Sequence, residues 1–324
     1  MSESDGRDAF DGEVLDLLVP SALHHLRIDR VLSMLTGLSR AEAHDVLTSG
    51  AVSVNDKVVL KPSTPLEEGQ RLTAVLPPRA SDDVLPDPSV AIDVVLDDPD
   101  FVVVNKAPGV IVHPGAGHRE GTLVAGLLAR YPQLRQLSVE GLCDPSRPGI
   151  VHRLDKGTSG LLVAAKSPEG FLSLSGQLVE REIERTYLGL VEGHVSEERG
   201  VVDAPIGRST RTPTLMVVRS DGRPARTSYE VIARVNKPHA ATLLRLRLET
   251  GRTHQIRVHL ATIGHPIVND VRYGHRRDAR LEEERVFLHS TSLAFRHPRS
   301  DERVVTHAAL PGDLAALVPS NLGL

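Results

Sequence analysis

The chain of 324 residues has a single cysteine, Cys143, no tryptophan, and only nine phenylalanines and tyrosines together. One cysteine excludes an internal disulfide framework and fits a reducing compartment, where an isolated loop thiol is ordinary. No stretch approaches the roughly eighteen consecutive apolar residues of a membrane span, so none is expected. Residues 1–20 are acidic and polar, lacking the basic start and apolar centre of a secretory signal, and the chain reads as cytoplasmic. With so few aromatics, any base-stacking platform has few candidates. His254 and His259 are five apart, a poor spacing on one helix face, and no thiolate joins them, so no metal is expected. Gly115-Ala116-Gly117 is too short for a phosphate loop, and Ser159 with His152 lacks a nucleophile elbow.

The net charge of −4 hides a polarity along the chain. Residues 1–20 carry −5, residues 77–100 carry −6, and residues 205–257 carry eleven basic and three acidic side chains, a net of +8. Such a density is the footprint expected for contacting phosphates.

Composition divides the chain into an acidic disordered tail at 1–20, a compact module at 21–76, a Pro/Asp-rich linker at 77–91 and a large domain at 92–324. In the module, Leu26 to Leu35 has helical apolar spacing, and Ser39 is placed to cap a second helix that Gly50 closes. Ala51 to Val54 and Lys57 to Leu60 form a hairpin, and Gln70 to Leu76 a further strand. Arg27-x-Asp29-x-x-Leu32, Ser39-Arg40 and Gly50-x-Val52-x-Val54-Asn55 resemble the S4-type RNA-binding domain over about fifty residues. That resemblance implies RNA contact through Arg30, Arg40, Lys57 and Lys61. Glu42, His44 and Asp45 stand where such domains carry basic residues, so the contact is expected to be weak.

In the large domain, His152-Arg153-Leu154-Asp155-Lys156-Gly157-Thr158-Ser159-Gly160 holds one carboxylate between two cations. Apolar runs of buried-strand type, Gly149 to Val151 and Leu161 to Ala165, flank it, with turn chemistry between. The cations favour the charged form of Asp155. Phe101 to Asn105 and Glu184 to Gly193 read as strands, the latter with Tyr187 on one face. Residues 122–130 and Ser167 to about Arg181 read as helices, the second with Ser as cap and Pro in its first turn. Leu244, Leu246 and Leu248 alternate with Arg245 and Arg247 in a strand ending at Thr250-Gly251. Arg252 to Leu260 then begins a helix ended by Gly264.

Asn105-Lys106 with Val112-His113-Pro114-Gly115, the Asp155 stretch, Arg185-Thr186-Tyr187, and Glu249 to His259 followed by Gly264-His265-Pro266 and Tyr273-Gly274 occur in one order. In that order they resemble the large-subunit-type ribosomal RNA pseudouridine synthases, the RluA/RluD family. The resemblance implies an α+β pseudouridine synthase fold, a mixed, mostly antiparallel sheet with flanking helices, behind a small N-terminal S4-like αβ domain. It implies Asp155 as catalytic nucleophile, Tyr187 against the target uracil, Arg257 in a salt bridge with Asp155, and Ile256 packed on the base. Arg153 would fill the gap left by the extruded nucleotide. Arg252, His254, Lys106, His113, Lys156, Arg208 and Arg211 would contact the RNA.

The implied partner is large-subunit ribosomal RNA, in pre-ribosomal particles or free, bound by a monomer without cofactor, metal or membrane. Transfer RNA as substrate, and a noncatalytic RNA-binding or ribosome-assembly role on the same fold, are the alternatives. Two departures from the pattern stand out. Ala107 precedes Pro108 in one turn, and Asn269 replaces a usual glycine before Asp270.

Overall fold

The computed structural model describes residues 14–38, 40–76, 83–115, 120–237, 239–274 and 276–322. It divides into two units, Met1–Asp82 and Asp83–Leu324.

The first unit orders β1 (Val14–Leu18), α1 (Ile28–Thr36), α2 (Arg40–Thr48), β2 (Val52–Val54), β3 (Lys57–Val58) and β4 (Arg71–Val75). Its antiparallel sheet runs β1-β4-β2-β3. α1 turns Ile28, Val31 and Leu32 inward against Ala43, Val46 and Leu47 of α2, the i, i+3, i+4 stripe of an amphipathic helix. Gly37, at φ 73°, closes α1, and the expected cap Ser39 lies outside the described residues.

β1 corrects the expectation of a disordered tail through residue 20. Leu15 and Leu17 alternate with Asp16 and pack on the module's core, while Asp16 pairs across the sheet with Arg71 at 2.6 Å. Acidic composition masked a two-residue period. Of the linker expected at 77–91, residues 77–82 lie outside the described residues, and the rest packs on the second unit. Val84 is buried, the Asp87 amide donates to the Ala125 carbonyl at 2.9 Å, and Val90 and Ile92 pack over Gly126.

The second unit continues with β5 (Val94–Asp97), β6 (Phe101–Lys106), α3 (Leu123–Arg130), α4 (Leu134–Val139), β7 (Ser159–Ala165), α5 (Pro168–Glu180), β8 (Glu184–Glu192) and β9 (Arg199–Asp203). After the hairpin β10 (Ile206–Arg208) and β11 (Met216–Val218) come β12 (Arg226–Val235), β13 (Ala241–Leu248), α6 (Gln255–Thr262), β14 (Leu288–Arg296), β15 (Arg303–His307) and α7 (Gly312–Ala315). Nine strands form one sheet in the order β5-β6-β7-β14-β8-β13-β12-β9, with β15 beside β14. Among the described strands only β7 and β14 pair in parallel, so the sheet is mixed and mostly antiparallel.

Both faces of this sheet are covered at β6 and β7. Val102, Val104, Leu162 and Ala164 face one core with α3, while Phe101, Val103, Leu161 and Val163 face a second with Leu174 of α5 and Phe295. A strand buried on both faces reads as a continuous apolar run, as β7 does. Gly149 to Val151, expected as a strand, makes a single bridge, Ile150 to Ala164. Gly149, at φ +76°, passes so close to Ala165 that a Cβ there would lie 2.5 Å from its carbonyl oxygen, and the chain turns away.

Candidate active site

Asp155 lies in the loop that enters β7, and backbone contacts fix that loop on both sides. The Asp155 carbonyl accepts from the Thr158 amide at 3.1 Å, and the Lys156 carbonyl accepts from the Gly109 amide at 2.8 Å. Gly157 is pressed against Glu284, where a Cβ would lie 1.9 Å from the carbonyl oxygen. Arg285, 3 % exposed, donates to the Gly157 carbonyl and the Ser159 hydroxyl, both at 2.9 Å, and to Asp313 at 2.7 Å. A carboxylate on a loop held this way is a preorganised group.

The expected cation for Asp155 is in place, with more behind it. Arg257, in the first turn of α6, donates from Nη1 to Asp155 at 3.1 Å. Its Nε and Nη2 donate to Asp270 at 2.6 and 2.8 Å. Asp270 is fully buried, and the ion pairs lift the Arg257 guanidinium well above its ordinary range against the opposing effect of burial. Tyr273 lies under the same guanidinium, 5.1 Å from ring centre to Cζ.

His254, at φ 56°, precedes α6, which begins at Gln255 rather than Arg252. The Tyr273 hydroxyl accepts from the Met216 amide at 3.1 Å and meets His254 Nδ1 at 2.7 Å. Burial raises the Tyr273 phenol, so it keeps a proton to donate, and burial lowers His254, so the ring is neutral. The network therefore assigns the His254 proton to Nε2, which points at Asp155 Oδ1 from 4.0 Å. Gln255 braces the approach to α6, with Oε1 accepting from the Thr250 hydroxyl and Arg252 amide and Nε2 donating to the Arg226 carbonyl and Thr227 hydroxyl.

A cleft of about 520 Å³ opens over Asp155. Tyr187 of β8, 4 % exposed, lines it, and burial pushes its phenol up, so it holds its proton. His113, Arg153 and Arg252 line it too, together with apolar Leu178 and Val179 from α5.

Two of the lysines expected to contact RNA have protein partners. Lys106, only 2 % exposed, donates to the carbonyls of Ala107 at 2.8 Å and Val110 at 2.9 Å, and burial lowers it to about 7. It buttresses the Asp155 loop from behind and cannot reach a strand of RNA. Lys156 pairs with Glu284 at 2.5 Å, not with Asp155. Ile256 is buried in the apolar cluster that contains Tyr187. The +8 segment is partly neutralised: Arg219 pairs with Asp221, Arg226 with Asp203 and Glu249, Arg234 with Glu198, and Arg245 with Glu230.

Arg208 and Arg211 remain exposed on and beside the β10–β11 hairpin. That hairpin is seated on α6 through Ile206, Met216 and Val258. In the first unit, Arg30, Arg40, Lys57 and Lys61 are all exposed. His259 is buried between the Thr227 hydroxyl and the Ala204 carbonyl, so it serves packing. Asn269 takes the positive φ, 65°, that glycine supplies elsewhere, and its amide donates to the Glu282 and Arg285 carbonyls. Asp270, Tyr273 and Gln255 carried no role in the sequence reading. Their partners lie across turns that no periodicity reports, although Gln255 and Tyr273 fall within the motifs and Asp270 lies between two of them.

The family model described as RNA pseudouridylate synthase matches residues 100–262, and the S4 domain model matches residues 26–72. An uncharacterized RNA pseudouridine synthase of Bacillus subtilis is 41 % identical over 293 residues, covering 90 % of this chain and 93 % of that protein. Ribosomal large subunit pseudouridine synthase D of Nitrosomonas europaea is 39 % identical, covering 94 % of this chain and 87 % of that protein. Among solved structures, human RNA pseudouridylate synthase domain containing 1 superposes with a TM-score of 0.54 at 28 % identity, covering 72 % of this chain and 89 % of that one. Motif order, sheet topology and these likenesses agree, and the chain belongs to the RNA pseudouridylate synthase family, isomerases that act on RNA.

Proposed function

We propose that the enzyme converts specific uridines of large-subunit ribosomal RNA to pseudouridine in the cleft of its second unit, with Asp155 as nucleophile on an extruded nucleotide. The observation that carries this reading is one carboxylate, 14 % exposed, braced by Arg257 and facing a cleft walled by Tyr187. Isomerisation breaks the C1′–N1 bond, forms C1′–C5, releases the C5 proton and returns one to N1. Nothing is oxidised or reduced, so an anion and an enclosed pocket suffice, without cofactor.

A base must leave its stack to reach Asp155, at a cost of a few kcal/mol. Stacking on Tyr187 offsets about 1–3 kcal/mol of that. Arg153 at the cleft mouth is placed to fill the vacated space, while Arg252, Arg208 and Arg211 meet the backbone. Weak further contact falls to Arg30, Arg40, Lys57 and Lys61 of the first unit.

The ribosomal substrate rests on the relative of Nitrosomonas europaea, whose name specifies the large ribosomal subunit and whose alignment spans most of both chains. Pseudouridine mapping across total RNA, with and without the gene, tests it. Sites lost from large-subunit RNA are expected. Sites lost from transfer RNA alone would overturn the substrate, and no lost site would overturn the activity.

A further inference from the structure

Arg185 projects from β8 two residues before Tyr187, hence on the same face of the strand. It lines the cleft and is only 6 % exposed, whereas the neighbouring Arg147, Arg153 and Arg181 are exposed. Its Nε is buried without a hydrogen-bond partner, and among the described residues no carboxylate or carbonyl receives its guanidinium. Asp155 does not serve it, being taken by Arg257. Burial accordingly depresses the Arg185 guanidinium below its ordinary range. The side chain lies against the wall at Gly251, where a Cβ would stand 2.8 Å from Nη1.

A second unused donor sits beside it. His152 Nε2 accepts the Val163 amide at 3.1 Å, so the ring proton is on Nδ1, and that atom is buried without a partner. Burial, with Arg185 adding repulsion, holds His152 down at about 3, so this donor is neutral throughout the physiological range. Native chains satisfy nearly all their buried polar groups, and each exception needs a cause. Here two donors, one of them a cation, line one cleft and meet no acceptor among the described residues, and His113 Nδ1 in the same cleft is likewise without a partner.

An acceptor that is itself an anion satisfies both. A guanidinium and a phosphate oxygen make the strong, charge-assisted pair that arginine favours. We propose that Arg185, with His152 Nδ1–H, forms a phosphate seat that takes the phosphodiester next to the extruded uridine. The proposal rests on the reading that this cleft receives an extruded nucleotide.

The test uses an RNA hairpin bearing a converted uridine, with the linkage on either side of that uridine replaced in turn by an uncharged methylphosphonate. Arg185→Met is expected to bind the natural hairpin at least about tenfold more weakly, the loss of one charge-assisted hydrogen bond. One methylphosphonate should weaken the wild type by a similar factor and the variant no further. Because Arg185 has no hydrogen-bonding or ion-pair partner among the described residues, the variant should melt no lower than the wild type, which a merely structural arginine would not allow. Gly251→Ala, which crowds the guanidinium but keeps its charge, should weaken binding in the same direction. Wild-type affinity in Arg185→Met, or methylphosphonate losses that persist in full in that variant, would overturn the seat. Asp155→Asn separates the two readings: it should abolish turnover and keep the methylphosphonate penalty.

Discussion

The two oxygens of Asp270 each take a hydrogen bond from Arg257, at 2.6 and 2.8 Å, whereas Asp155 takes one, at 3.1 Å. Asp270 is thus the anchor of the guanidinium, and Asp155 is the guest on its remaining edge. Asp270→Asn keeps the shape and removes the charge, so Arg257 loses its tether. Turnover is expected to fall about a hundredfold through misplacement of the Asp155 partner, with KM little changed. Asp270→Ala strands a buried guanidinium and should cost about 3–5 kcal/mol of stability, read from denaturant melts. Full turnover in Asp270→Asn would show that Asp155 needs no anchored cation.

Tyr187 separates stacking from proton transfer. Burial raises its phenol, so it stays protonated at neutral pH and presents a ring. Tyr187→Phe should keep turnover within about tenfold, and Tyr187→Ala should lose about 1–3 kcal/mol of substrate binding. A collapse of turnover in the phenylalanine variant, with affinity intact, would assign the hydroxyl to the chemistry instead.

Arg285 acts on the Asp155 loop through Gly157 and Ser159 while tied to Asp313. A lysine has a single ammonium in place of the guanidinium fork and cannot serve all three. Arg285→Lys should lower kcat about tenfold or more at nearly constant KM, because the loop that orients Asp155 loosens while the RNA surface is unchanged. A purely structural arginine would lower melting temperature and leave kcat of the folded fraction alone.

Lys106 gives the stability a dependence on pH. Its folded value of about 7 lies below the unfolded value of 10.5, so between those limits the unfolded chain holds more protons. Stability must therefore rise with pH from about 7 toward 10.5, and the penalty for burying the charge is complete below 7. Lys106→Met should flatten that rise in melting temperature between pH 7 and 9. An unchanged slope would place the titration in another group.

Local chemistry was legible where the signal is local. Turn residues and apolar flanks marked the Asp155 loop, Ser167-Pro168 marked α5, and alternation marked β13. Lys106 misled because a lysine at a strand end reads as solvated, and only the fold shows three carbonyls closing over it. β1 was hidden when acidic composition over twenty residues outweighed a five-residue alternation. Asp270 went unread because its meaning lies in a bond across a turn to α6, which neither period nor charge density reports. The left-handed His254 moved the start of α6 three residues beyond Arg252 and pointed its ring at Asp155.

The nucleophilic role of Asp155 is tested most directly by tritium release from RNA labelled at uridine C5, since forming C1′–C5 expels that atom. Asp155→Asn is nearly isosteric, so RNA affinity should stay within about threefold of wild type, the tolerance expected of a near-isosteric change. If Asp155 has this role, the bound complex releases no tritium above background over many wild-type turnovers. Release at a rate within tenfold of wild type would contradict it.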